Sequence, residues 1–207
     1  MGSDRFAVFR VGTVELPFVN QLANGLSNAM LVGFATAEKM KLSMAEIKLK
    51  SLKLMHYLFP LSIIVMIFSK WIFANLLYNE NFYRSADVFM VYQLIIISRL
   101  IFPHTILIGL KKTKVLLNIS IISIILNIFL SLIFINGFWF IQAYGMVGLA
   151  LGTVSVLVLE KIFLLLYNYF KLGIKPIEYI PVKWYLFYSS MIILVFVLID
   201  HRIIKLY

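Results

Sequence analysis

Apolar residues run along this chain in long blocks separated by short polar stretches, with no strict apolar-polar alternation. A transmembrane helix needs about 20 mostly apolar residues. The blocks predict six such spans, at roughly 10–35, 53–76, 85–110, 115–136, 144–169 and 184–201. In lipid the backbone can satisfy its own polar groups only in helices or closed barrels, and the missing alternation excludes the barrel. The expected fold is therefore all-α, a polytopic transmembrane bundle of about six spans occupying residues 1–207 as one unit. The connections "YNENFY" (Tyr78–Tyr83), "KKTK" (Lys111–Lys114), "NGFWF" (Asn136–Phe140) and "KLGIKP" (Lys171–Pro176) carry turn chemistry and are too short to be domains.

Composition agrees with a bilayer. Hydrophobic residues make up 62% of the chain and charged ones 14%, with a mean hydropathy of +0.97, where soluble proteins have about a quarter charged residues. There is no cysteine, which excludes disulfides and thiolate metal sites. His56, His104 and His201 are scattered without ligand spacing, so neither a metal nor another cofactor is expected. The first thirty residues lack a basic start, a short apolar core and a small-residue cleavage site, so they do not read as a signal peptide.

The net charge of +10 is carried by short clusters between apolar blocks, which is a topology signal and not a nucleic-acid footprint. Lys39, Lys41, Lys48, Lys50 and Lys53 fall in one connection, Lys111, Lys112 and Lys114 in a second, and Lys161, Lys171, Lys175 and Lys183 in or beside a third. By the positive-inside rule these segments are expected to be cytoplasmic and both Met1 and Tyr207 outside. Residues 36–53 read either as an amphipathic surface helix or as a solvated connector. Trp71, Trp139 and Trp184 fall near span ends, as in an interfacial belt.

Four stretches, "FAVFRVGTVELPFV" (Phe6–Val19), "RSADVFMVYQLIIISRLIFPHTILIGLKKTK" (Arg84–Lys114), "SIISIILNIFLSLIFI" (Ser120–Ile135) and "YGMVGLALGTVSVLVLEKIFLL" (Tyr144–Leu165), resemble the C-terminal half of the Wzx-type polysaccharide flippases of the multidrug/oligosaccharidyl-lipid/polysaccharide exporter superfamily. They follow that family's order and spacing. Two departures stand out: the family often has glycine where this chain has Lys111, and a proline before the arginine matched by Arg99, whereas Pro103 follows it here. The resemblance implies a second bundle related to this one by a pseudo-two-fold axis. It also implies that Phe6 lies before the family's eighth helix, so that this chain is a fragment or works with a separately encoded N-terminal half. The implied activity is inner-membrane export of polyprenyl-diphosphate-linked oligosaccharides for surface polysaccharide such as the O-antigen of lipopolysaccharide. The implied partners are that lipid-linked oligosaccharide and membrane lipids.

The polar groups within the spans are the candidate site. Asn20, Asn24 and Ser27 share a helix face flanked by Gln21 and Asn28, a stripe about 12 Å long. Such groups either bond across packed helices or line a hydrated cavity, and the resemblance favours a cavity where amides meet sugar hydroxyls. Glu15 either pairs with Arg10 or is an ion-coupling site, where proton or cation binding biases the bundle between its two openings. Arg99, near mid-span, shares a helical spacing with Tyr92 and Pro103, and Pro103 can open the backbone ladder there. Its guanidinium either binds the cargo diphosphate or pairs with Glu15 or Glu160. Ser120, Ser123, Asn127 and Ser131, and the "GLALG" stripe Gly148–Gly152 with Ser155, read as helix-packing surfaces, with a lumen wall as the second reading for Asn127. Glu160 and Lys161 read as snorkelling or pairing.

These features favour a transporter over an enzyme. A polymerase or ligase of the same pathway would place catalytic groups on a large external loop, and every predicted external loop is short. A drug or cation exporter of the same superfamily is the remaining alternative.

Overall fold

The computed structural model describes residues 3–35, 37–77, 82–137 and 145–200. Among these residues it is all-helical, without a strand. The helices are α1 (Ser3–Gly12), α2 (Pro17–Met30), α3 (Ala37–Ile67), α4 (Ser69–Trp71), α5 (Ser85–Gln93), α6 (Ile96–Arg99), α7 (Pro103–Gly109), α8 (Thr113–Asn136), α9 (Met146–Leu172), α10 (Pro176–Tyr179) and α11 (Val182–Asp200). A 3₁₀ turn, Leu31–Ala35, follows α2, and a π-helical segment, Ile72–Leu77, follows α4.

Among the described residues four helices are long and apolar enough to cross a membrane: Glu38–Ile67, Thr113–Asn136, Met146–Leu172 and Val182–Ile199. A fifth crossing results if Ser85–Arg99 and Pro103–Gly109, which meet at 46°, are one broken span. The chain is thus a multi-pass membrane protein.

Proline explains where the expected spans break. Span 10–35 is not one helix: α1 stops at Gly12, Leu16 is extended at φ −62°, ψ 112°, and Pro17 opens α2. Proline disfavours helical backbone in the residue before it and suits a first helical turn. The same happens at Pro103, which starts α7 after Phe102 leaves the helix at φ −120°, ψ 44°. Tyr92, Arg99 and Pro103 therefore do not share one continuous helix face, because they lie on α5, α6 and α7.

In the expected segment 36–53, residues 37–53 are neither a separate surface helix nor a connector, since Ala37 onward is continuous with the next span in the 31-residue α3, about 46 Å long. That length exceeds the ~30 Å hydrocarbon core. The far end of the expected span 53–76 changes character, with α3 ending at Ile67 and the rest made of α4 and the π-helical segment. Tyr78–Asn81, Phe138–Tyr144 with Trp139, and His201 lie outside the described residues.

The core is built mainly from α2, α3, α5, α6 and α7 with parts of α9 and α11, and Phe59, Ile106 and Ile192 are fully buried in it. The small-residue stripe on α9 packs as expected. A Cβ at Gly152 would stand 2.7 Å from Ser131 Oγ, and one at Gly148 would stand 2.5 Å from the Phe134 carbonyl oxygen, so α8 and α9 approach backbone to backbone. At the end of α9, buried Asn168 donates to the Pro103 carbonyl (3.0 Å) and to the Tyr179 hydroxyl (3.4 Å). Burial pushes that hydroxyl up to about 12, so it stays protonated as α10 tucks beneath the bundle.

Lys111 has φ 59°, the left-handed conformation that favours glycine. Its N–H bonds to Ile108 O and that of Lys112 to Leu107 O, the paired bonds of a Schellman ending. Left-handed backbone costs a non-glycine residue roughly 1–2 kcal/mol, and glycine's extra chain entropy offsets about 0.5–1 kcal/mol of the gain. Lys111→Gly should raise the thermal midpoint of the detergent-purified protein and Lys111→Val should lower it. The reverse order would show that this turn does not strain the backbone.

Candidate functional site

Two charged side chains meet where two helices stop. Glu15 sits in the break between α1 and α2, and Arg99 is the last residue of α6, just before the break that Pro103 creates. Arg99 Nε donates to Glu15 Oε2 at 3.0 Å and Nη2 to Oε1 at 2.5 Å. This bidentate fork is the strongest geometry available to the two groups. About a quarter of each side chain is exposed, so the pair edges onto open space and is not sealed in. Of the alternatives open from sequence, Arg99 takes Glu15 as its carboxylate, and Glu15 takes Arg99 and not Arg10. The Arg10 carbonyl instead accepts a bond from the Thr13 hydroxyl at 3.1 Å.

Further polar groups gather beside this pair. A crevice with room for roughly one water molecule is bounded by Glu15, Ser62, Tyr92, Gln93 and Arg99. Ser62 Oγ and Gln93 Nε2 are buried and have no protein hydrogen-bond partner. Unpaired polar atoms in a span cost several kcal/mol each unless water or ligand satisfies them. Ser62 and Gln93 were not singled out from the sequence. Gln93, an amide beside Tyr92 inside a predicted span, was the available signal, whereas Ser62 resembles any small core residue.

The α2 stripe divides. Asn24 Nδ2 donates to Asn20 Oδ1 at 2.9 Å, so these two amides stay together. Ser27 turns inward, 5% exposed, and shares a 2.6 Å hydrogen bond with Thr105. Gln21, Asn24 and Asn28 remain exposed on α2.

Ser27 also belongs to a second polar chain. Lys161 Nζ lies 3.0 Å from His104 Nδ1, and His104 Nε2 lies 3.4 Å from Ser27 Oγ. An ammonium can only donate, so Nδ1 accepts and the ring hydrogen sits on Nε2, directed at Ser27. Lys161 is the sixteenth of 27 residues in α9, about 16 Å from its C-terminal end. Lys161 therefore pairs with a ring nitrogen well inside α9. Sequence spacing left His104 isolated, because the contact joins residues 57 positions apart. Glu160 lies elsewhere, lining a groove of about 340 Å³ between α8 and α9 with Ser120, Ser123 and Asn127. Among the described residues no cluster of three or more metal-ligating side chains occurs.

No family model matches this chain, and no curated protein or solved structure matches it either.

If the Glu15–Arg99 fork joins the two breaks, Glu15→Gln and Arg99→Gln should each lower the thermal midpoint in detergent. Removing one member of a fully buried pair costs about 3–5 kcal/mol, and solvent at this edge makes the loss smaller. The swap Glu15→Arg with Arg99→Glu should recover most of it. A swap no more stable than the single variants would contradict the pairing.

Proposed function

We propose that this chain is the second bundle of a Wzx-type flippase and carries polyprenyl-diphosphate-linked oligosaccharides across the cell inner membrane, its lysine-rich connections cytoplasmic. In this reading there are six crossings. The first is made of α2 and its 3₁₀ turn, the third of bent α5–α7, and the others of α3, α8, α9 and α11.

One observation carries the proposal. Ser27 is tied through His104 to Lys161, near the middle of α9, so α2 lies at membrane depth. At that depth α2 turns Gln21, Asn24 and Asn28 away from the bundle. Amides are not left facing lipid, so they belong against water or a second polar surface. A half-cavity facing another bundle supplies both, with sugar hydroxyls meeting the amides during transit. Lys111 lends separate support, because it adopts left-handed backbone at a position where the resembled family often has glycine.

In the same reading Glu15 holds Arg99 while the cavity is empty. Two of the five guanidinium N–H groups are engaged by Glu15, and the rest can receive a phosphate. A diphosphate competing for Arg99 would release Glu15 to take up a proton or cation, giving it the coupling role. Tyr92, Asn20, Asn24 and Ser27 complete the proposed substrate surface.

Deleting the gene in its native host tests this against its rivals. Loss of surface polysaccharide, with lipid-linked repeat units accumulating on the cytoplasmic face, is the expected result. Exported but unpolymerised units would assign a polymerase. Intact polysaccharide with sensitivity to cationic dyes would assign a drug or cation exporter.

A further inference from the structure

Both α3 and α11 pass from a lysine-bearing end into a long uncharged stretch. Lys53 is the last charged residue of α3, and Lys183 is the last on α11 before Asp200. The two helices pack together at this level. The His56 ring lies 5.0 Å from Trp184 and 5.6 Å from Tyr188, and Tyr188 stacks on Phe59 at 5.4 Å. His56 is one turn beyond Lys53, and Trp184 directly follows Lys183. The ring contact therefore sets both lysines at one height, where two neighbouring helices enter the hydrocarbon. Both lysines and both rings are exposed there.

The geometry points to a binding site for an anionic phospholipid between α3 and α11. Its phosphate would lie between Lys53 and Lys183, and its glycerol region against Trp184, whose ring suits the interface. His56 Nδ1 lies 2.7 Å from the Leu52 carbonyl, which makes Nδ1 the donor and leaves Nε2 as an acceptor for a head-group hydroxyl. Below the head group, exposed Ile64 on α3 and Met191 on α11 offer an apolar track for an acyl chain. Charge complementarity selects the ligand: two cations flank the aromatic pair, and the helices carry no carboxylate between this level and the far ends of their uncharged stretches. Basic pockets between helices at the membrane surface hold anionic lipid heads in this way. This site is separate from the transport surface and does not depend on the proposed cargo.

The test uses the full chain in phosphatidylcholine nanodiscs containing phosphatidylglycerol, with bound lipid read by native mass spectrometry. Retention of phosphatidylglycerol over phosphatidylcholine is expected. Lys53→Gln with Lys183→Gln should reduce it about tenfold, since each surface lysine contributes a several-fold factor. Lys53→Arg with Lys183→Arg should retain it. Lys112→Gln with Lys114→Gln removes two exposed lysines elsewhere and should change nothing. Equal retention of the two lipids, or equal loss in both glutamine pairs, would reduce the effect to general attraction and overturn the site. Displacement by millimolar inorganic phosphate would identify a free-phosphate site and overturn the lipid assignment.

Discussion

Pairing opposite charges between helix ends is the constraint on which this arrangement depends, and the Glu15–Arg99 fork meets it. Each residue sits where a proline has ended a helix, so each break places a charged side chain where it can reach the other. The fork fastens the α1–α2 break to the end of α6. Nearby, Ser85 Oγ donates to the Val8 carbonyl at 2.8 Å and fastens α1 to the start of α5. Without these ties the short helices would lack the length that holds α8, α9 and α11 across a bilayer.

Two kinds of exposed helix face give this bundle its polarity. On α8 only 11% of the apolar stretch is buried, and Ile121, Ile124, Ile125 and Ile128 face outward. Such a face suits lipid. On α2 the exposed residues include the amides Gln21, Asn24 and Asn28 beside Phe18 and Leu22, while Val19, Ala23 and Met30 pack inward. Hydrocarbon cannot satisfy those amides, whereas a water-lined cavity can. The proposed half-cavity would account for this difference, with α8 toward lipid and the α2 amides toward water.

Much of the fold was legible because apolar block length maps directly onto helices α8, α9 and α11. The prolines are legible too, but a block of membrane length conceals two helices and a break before Pro17. Residues 36–53 failed for a different reason, since a helix can continue past the hydrocarbon boundary without any signal beyond its own charges. At the site, Arg99 and Glu15 stood out because charges are rare inside spans. Their pairing could only be named among alternatives, since it joins residues 84 positions apart. The sequence allows Lys161 to snorkel or to pair, and its 3.0 Å contact with His104 makes it a pair.

The proposed function requires that the amides of α2 border water at membrane depth. The chain has no cysteine, so single substitutions Asn24→Cys and Asn28→Cys each introduce one reporter. Labelling in intact membranes with a membrane-impermeant maleimide tests them against Ile125→Cys on the outward face of α8. The account predicts rapid labelling at both α2 positions and none at 125. Unreactive cysteines at 24 and 28, matching the α8 control, would contradict it.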